Sequence, residues 1–132
     1  MERFIEIIPA PRKNLKIAIV GSRHFHDYQT MKEFMDACLA KWNCQKCTVV
    51  SGGATGADSL AERWAEERGF DIKVFVADWD KHGRSAGPIR NSMIVDYCTH
   101  VVAFPSHNCR GTQDTIRKAK NAGKPVEILY VD

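Results

Sequence analysis

A doubly wound α/β domain, with helices on both faces of a single, mainly parallel sheet, is the fold this sequence predicts. Three observations predict it. Five short β-branched runs alternate strictly with helix-like patterns along 132 residues. Each run is continuously apolar, as in a strand covered on both faces. The connections between them are short, which forces parallel, right-handed βαβ crossovers.

The strand runs are KIAIV (Lys16 to Val20), CTVV (Cys47 to Val50), IKVFVA (Ile72 to Ala77), HVVAF (His100 to Phe104) and VEILYV (Val126 to Val131). Helical patterns fill the intervals Tyr28 to Trp42, Ala57 to Arg68, Pro88 to Tyr97 and Thr112 to Ala122. In the second, Leu60, Ala61, Trp64 and Ala65 share one face, while Glu62, Arg63, Glu66 and Glu67 share the other. Gly69 and Gly123 stand where left-handed caps stop helices. The expected strand order is 3-2-1-4-5. Residues 1–14 read as an N-terminal arm or edge strand (Phe4 to Ile8) followed by a linker, and residues 15–132 as the ligand-binding domain.

Composition narrows the class of protein. At 44% hydrophobic and 27% charged, the chain suits one globular core and leaves no room for a second domain. No apolar run approaches the roughly 18 residues of a membrane span, and the first 14 residues lack the apolar stretch of a secretory signal. Five cysteines, an odd number, sit within regular elements, which speaks for reduced thiols and a cytoplasmic setting. Cys44 and Cys47 have C-x-x-C spacing but no second pair, and His24 and His26 lack a third ligand, so no metal and no cofactor is expected. A net charge of +3 is too mild to imply nucleic acid by itself.

In doubly wound sheets, ligands bind outside the carboxyl ends of the strands, where strand order reverses. Four loops follow strands: GSRHF (Gly21 to Phe25), SGGATGAD (Ser51 to Asp58), DWDKHGRSAGPIRN (Asp78 to Asn91) and PSHNCRGT (Pro105 to Thr112). They carry Arg23, Lys81, Arg84, Arg90 and Arg110 and seven of the nine glycines. Cationic, glycine-rich loops on one rim suit an anion. Gly52, Gly53 and Gly56 can take φ > 0 and leave amides open at a helix start whose dipole favours phosphate. Tight-turn formation is the plainer role for the same glycines. Thr55 and Asp58 also read as a capping box, which would confine Asp58 to an N-cap amide; beside a phosphate, Asp58 would instead suit a ribose or base hydrogen bond. The spacing matches neither G-x-G-x-x-G nor a P-loop.

The phrases KIAIVGSRHFHDY, VVSGGATGADSLAERWAEERG, DWDKHGRSAGPIRNSMIVDYCTHVVAFP and RGTQDTIRKAKNAGKPVEIL resemble the YspA-type branch of the SLOG superfamily over Lys16 to Leu129. The resemblance implies a Rossmann-like nucleotide-ligand domain related to the lonely-guy phosphoribohydrolases and to the DNA-processing protein A family. Site residues that follow are Gly21, Ser22, Arg23, Ser51, Gly52, Gly53, Ala54, Thr55, Gly56, Asp58, Asp78, Trp79, Arg84, Gly87, Arg90, Asn91, Pro105, Gly111 and Thr112, with Trp79 as a stacking platform.

The two relatives imply different activities. Arg90 and Met93 match the catalytic arginine phrase of lonely-guy enzymes, and Gly111-Thr112 matches their phosphate-loop G-T step, but Thr115 holds the position of their glutamate. Threonine supplies no carboxylate for acid/base work, and Asp114 lies about 100° away around the helix. Three readings therefore stand: binding or sensing of a phosphate-carrying nucleotide derivative (NAD fragment, ADP-ribose-like compound or nucleoside monophosphate); a nucleotide N-glycosidase with a relocated acid/base, for which Arg90, Asp58 and Asp78 are candidates; and single-stranded DNA binding, the least favoured. A homodimer is expected by resemblance to the lonely-guy enzymes.

Overall fold

A computed structural model describes residues 15–131 of the chain. The arm reading of residues 1–14 lies outside the described residues. The order of elements is β1 (Leu15–Gly21), α1 (Tyr28–Lys41), β2 (Cys47–Ser51), α2 (Ala57–Arg68), β3 (Asp71–Val74), α3 (Trp79–His82), a 3-10 turn (Gly83–Ser85), α4 (Ala86–Tyr97), β4 (His100–Phe104), α5 (Arg110–Asn121) and β5 (Val126–Ile128). The sheet runs β3-β2-β1-β4-β5 and every pairing is parallel. The order reverses between β1 and β4, which places the switch point at Gly21 and Phe104, register partners at the carboxyl end of both strands.

The two-residue period of a strand divides the core into two layers. Ile17 and Ile19 of β1 and Val102 and Phe104 of β4 face α1 and α2, where Met31, Met35, Ala61 and Trp64 meet them. Ala18 and Val20 of β1 and Val101 and Ala103 of β4 face α4 and α5, against Ile94, Val95, Ile116 and Ala119. Helix spacing supplies the other half of each layer: Ala57, Ala61, Trp64 and Ala65 recur at one-turn intervals on the buried face of α2. Gly69 ends α2 in the left-handed conformation, φ +69°. Asp27 caps α1 through the Thr30 amide.

Two expectations change. The runs at β3 and β5 read as strands buried on both faces, yet no residue of either strand is fully buried, and Val76 just past β3 is 75% exposed. Each forms an edge of the sheet and has a neighbour on one side only. An apolar run does not reveal whether its strand will lie at the centre or at an edge. The stretch from Asp78 to Asn91 reads as a loop, but most of it is helical. Pro88 does not mark the start of α4; it sits inside the first turn, where a missing N–H breaks no bond.

Candidate functional site

The carboxyl ends of β1, β2 and β4 surround a cleft of about 280 Å³ at the switch point. Its walls come from four segments: Gly21 to His24 after β1; Gly52, Ala54 and Asp58 after β2; Arg90, Asn91 and Ile94 on α4; and Ser106 with Asn108 to Thr112, plus Thr115, on the β4–α5 side.

Glycine makes this convergence possible. A Cβ at Gly56 would lie 2.3 Å from the Ser22 carbonyl oxygen, and one at Gly21 would lie 2.5 Å from the Phe104 carbonyl oxygen. The Ser22 carbonyl accepts the Ala57 amide at 3.0 Å, and the Ser22 amide donates to Phe104 O at 2.9 Å. The β1 loop is thus stitched to the start of α2 and to the end of β4. What approaches the backbone at Gly56 is another stretch of backbone.

The loop amides differ from the expected phosphate cradle. The Gly53 amide donates to Ser51 Oγ at 3.1 Å and the Ala54 amide to Asp58 Oδ2 at 3.1 Å. Together with Ala57, three amides in this stretch already have protein acceptors, and the anion seated at the glycine loop is the carboxylate of Asp58. The capping-box expectation is met only in part. Asp58 reaches back to Ala54, whereas the N-cap is Gly56 with no side-chain bond, and the Thr55 hydroxyl donates to Arg23 O at 3.4 Å. Asp58 is only 8% exposed. Burial pushes its pKa up, against the pull of the Ala54 amide and the Arg90 guanidinium.

Arg90 clasps the same loop from the other side. Its Nη1 donates to Gly52 O at 2.8 Å, and its Nε donates to Asn91 Oδ1 at 3.0 Å. A Cβ at Gly52 would fall 2.7 Å from that Nη1 and 3.0 Å from Asp58 Oδ2, so a side chain there would displace the clasp. Asn91 donates from Nδ2 to Gly111 O at 3.2 Å and to Asp114 Oδ2 at 3.1 Å, which ties α4 to the start of α5. Burial lowers the Arg90 pKa, and Asp58 opposes that shift.

Two other arginines face the cleft differently. Arg23 and Arg110 are exposed and, among the described residues, neither side chain has a hydrogen-bond or ion-pair partner. Cys109, the N-cap of α5, makes no side-chain cap bond to the helix, whose first turn holds Arg110, Gly111 and Thr112. Thr115 is buried below them and donates its hydroxyl to Gly111 O at 3.2 Å. Asp114 points elsewhere, as its place around the helix predicts. It receives Arg117 at 2.6 Å and Lys118 at 2.9 Å. Burial raises its pKa, but Lys118, Asn91 and Arg117 outweigh that and hold it low.

Of the residues chosen from sequence, Gly21, Ser22, Arg23, Gly52, Ala54, Asp58, Arg90, Asn91, Gly111 and Thr112 line the cleft. Ser51, Gly53, Thr55, Gly56 and Pro105 stand behind it as supports, and a Cβ at Gly53 would meet Val74 at 3.1 Å instead of the cleft. Asp78, Trp79, Arg84 and Gly87 lie outside the lining. Asp78 caps α3 through the Lys81 amide, and Trp79, 53% exposed, reaches over Gly87 on α4. Phe25 and Tyr28 are structural: Phe25 stacks on Phe104, and Tyr28 bonds to Glu67 beneath Arg63. Residues not chosen include Ser106, Asn108, Cys109 and Arg110. Their signal was position, since all four precede Gly111 in the same post-strand loop. Among the described residues no group of three or more His, Cys, Asp or Glu could hold a metal, and no helix is long and apolar enough to cross a membrane.

A family model described as the YspA, cpYpsA-related SLOG family matches residues 15–82. The gene 61 protein of Mycobacterium phage D29 is 37% identical over 120 residues, 84% of this chain and 93% of that protein. Among solved structures, DNA processing protein A (DprA) of Streptococcus pneumoniae superposes with a TM-score of 0.70 at 19% identity over 88% of this chain. DprA of Helicobacter pylori, solved to give insight into its single-stranded DNA binding mode, gives 0.64 at 20% identity over 89%. The present chain spans 50% and 66% of those two proteins, and the likeness to them is one of fold.

Proposed function

The chain belongs to the YspA, cpYpsA-related SLOG family, and on that footing we propose that it binds a phosphate-carrying, nucleotide-derived small molecule in the cleft at the switch point. One observation carries this reading. Arg23 and Arg110, from the loops that follow the two central strands, border the same cleft as the uncapped first turn of α5. The phosphate belongs at that end, since the glycine loop already holds the Asp58 carboxylate. Asp58 would accept from a ribose hydroxyl, and Arg90 positions the loop. Two charge-assisted arginine contacts at about 1.5–3 kcal/mol each and a helix terminus at about 1 kcal/mol total roughly 4–7 kcal/mol. Binding between about millimolar and about 10 micromolar follows before base contacts are added.

Thermal denaturation in the presence of nucleoside monophosphates and ribose 5-phosphate tests the reading. Stabilisation that is lost in the Arg23→Ala/Arg110→Ala double variant supports it. If no phosphorylated nucleoside or sugar stabilises the protein, while oligonucleotides bind more tightly with length and less tightly with salt, single-stranded DNA is the ligand class instead. Turnover is a separate matter. Thr115 lines the cleft from α5 where a carboxylate would be needed, so base release from nucleoside monophosphates is expected to be weak, and Asp58 is the carboxylate within the cleft that could alter that. Light scattering with and without ligand reads out the expected homodimer.

A further inference from the structure

Beyond the wall formed by the β4–α5 loop lies a second, more open groove of about 710 Å³. Ser106, Asn108, Cys109 and Arg110 border both spaces, so a ligand phosphate at Arg110 stands at the boundary between them. On its far side the groove is bordered by Tyr130, Gln113 and Arg117. We propose that this groove is a base-binding subsite in which the base of the nucleotide stacks on Tyr130, while its phosphate and sugar occupy the cleft. The proposal rests on the reading of the cleft as a nucleotide site and assigns the place of the base.

Three features support it. The groove opens directly off the cleft across the four shared residues, so a ligand whose phosphate sits at Arg110 can extend into it. Tyr130 is 71% exposed, yet its backbone is pinned on both sides: the Leu129 amide donates to Ala103 O and the Val131 amide to Pro105 O, both at 2.9 Å. The ring is therefore presented by an extension of the sheet, at little ordering cost on binding. The groove's remaining chemistry suits a base. Gln113 is exposed and offers both a donor and an acceptor to a base edge, and Arg117 is engaged with Asp114. Trp79, the platform expected from sequence, borders neither space.

Isothermal titration of the full chain with ribose 5-phosphate and with AMP tests the subsite. AMP should bind about tenfold more tightly, the low end of what one base stacked on an aromatic ring supplies. Tyr130→Ala should bring AMP to within two- to threefold of ribose 5-phosphate and leave ribose 5-phosphate unchanged. Tyr130→Phe should keep the AMP advantage, Gln113→Ala should reduce it, and Trp79→Ala should leave it intact. If the advantage survives Tyr130→Ala, or disappears in Trp79→Ala, or never exists, the subsite is refuted while the cleft reading stands. If neither compound binds, the cleft reading falls and the subsite falls with it.

Discussion

Gly56→Ala is the sharpest perturbation of the architecture that builds the cleft. Gly56 has φ +72° and ψ −124°, a region that residues with a Cβ rarely enter, and its Cβ would lie 2.3 Å from Ser22 O and 2.4 Å from Arg23 C. The backbone conformation costs about 1–3 kcal/mol. Shifting the Ser22–Arg23 peptide, which cannot rotate away as a side chain would, adds about 1–3 kcal/mol. The expected loss is about 2–6 kcal/mol, or roughly 7–22 °C in Tm for a chain of this size. Gly83→Ala is the reference: its φ of +56° and ψ of −132° lie close to those of Gly56, but nothing lies within 4 Å of its Cβ, so only the backbone cost of about 1–3 kcal/mol should be lost. Urea denaturation of both variants isolates the close approach from the backbone strain. Equal losses would refute the claim that this glycine exists to let the β1 loop reach α2. Because Arg23 rides on that loop, residual folded Gly56→Ala should also bind ligand more weakly.

Gly111→Ala is expected to go the other way: nothing lies within 4 Å of its Cβ, and alanine at a helical position gains up to about 1 kcal/mol, so Tm should hold or rise while phosphate-ligand stabilisation falls. Asp58 gives a pH signature. Its folded pKa is raised above the ordinary 3.8, so the native state holds the proton more tightly, and its contribution is fullest below that pH and declines as pH rises through the folded value. Stability of the wild type minus that of Asp58→Asn should therefore fall as pH rises above about 3.8 in urea titrations; a difference that grows with pH would contradict the burial argument. Among the five thiols, burial pushes Cys38 up to about 11 and Cys47 up to about 12, and only Cys109 is partly exposed. One thiol, Cys109, should react quickly with a disulfide reagent in the native state, and bound ligand should slow it.

The sequence by itself determined the fold class and the strand order, and it predicts the rim of the sheet on which a ligand would sit. Those follow from local, repeating signals: β-branched runs, one-turn apolar spacing in α2 and α5, Gly69 as a stop, and the rule that parallel crossovers share one hand. Tertiary structure alone decided which glycine serves which purpose. Gly53 and Gly56 both take φ > 0 and look alike in the chain, yet one borders Val74 and the other the Ser22 carbonyl, a partner more than thirty residues away. It also decided the division of labour among the charges. Arg23, Arg90 and Arg110 are equivalent cations as letters, but Arg90 is bound to the Gly52 carbonyl while the other two are not so engaged, and Asp58 occupies the amide that a phosphate was expected to take. Tyr130 was hidden for the same reason: it belongs to the last strand's apolar run, yet it lies just past β5 at the sheet's edge, exposed beside the groove that adjoins the cleft. Local pattern reports which side chains share a face; which faces meet, and what they leave exposed, depends on contacts distant in sequence.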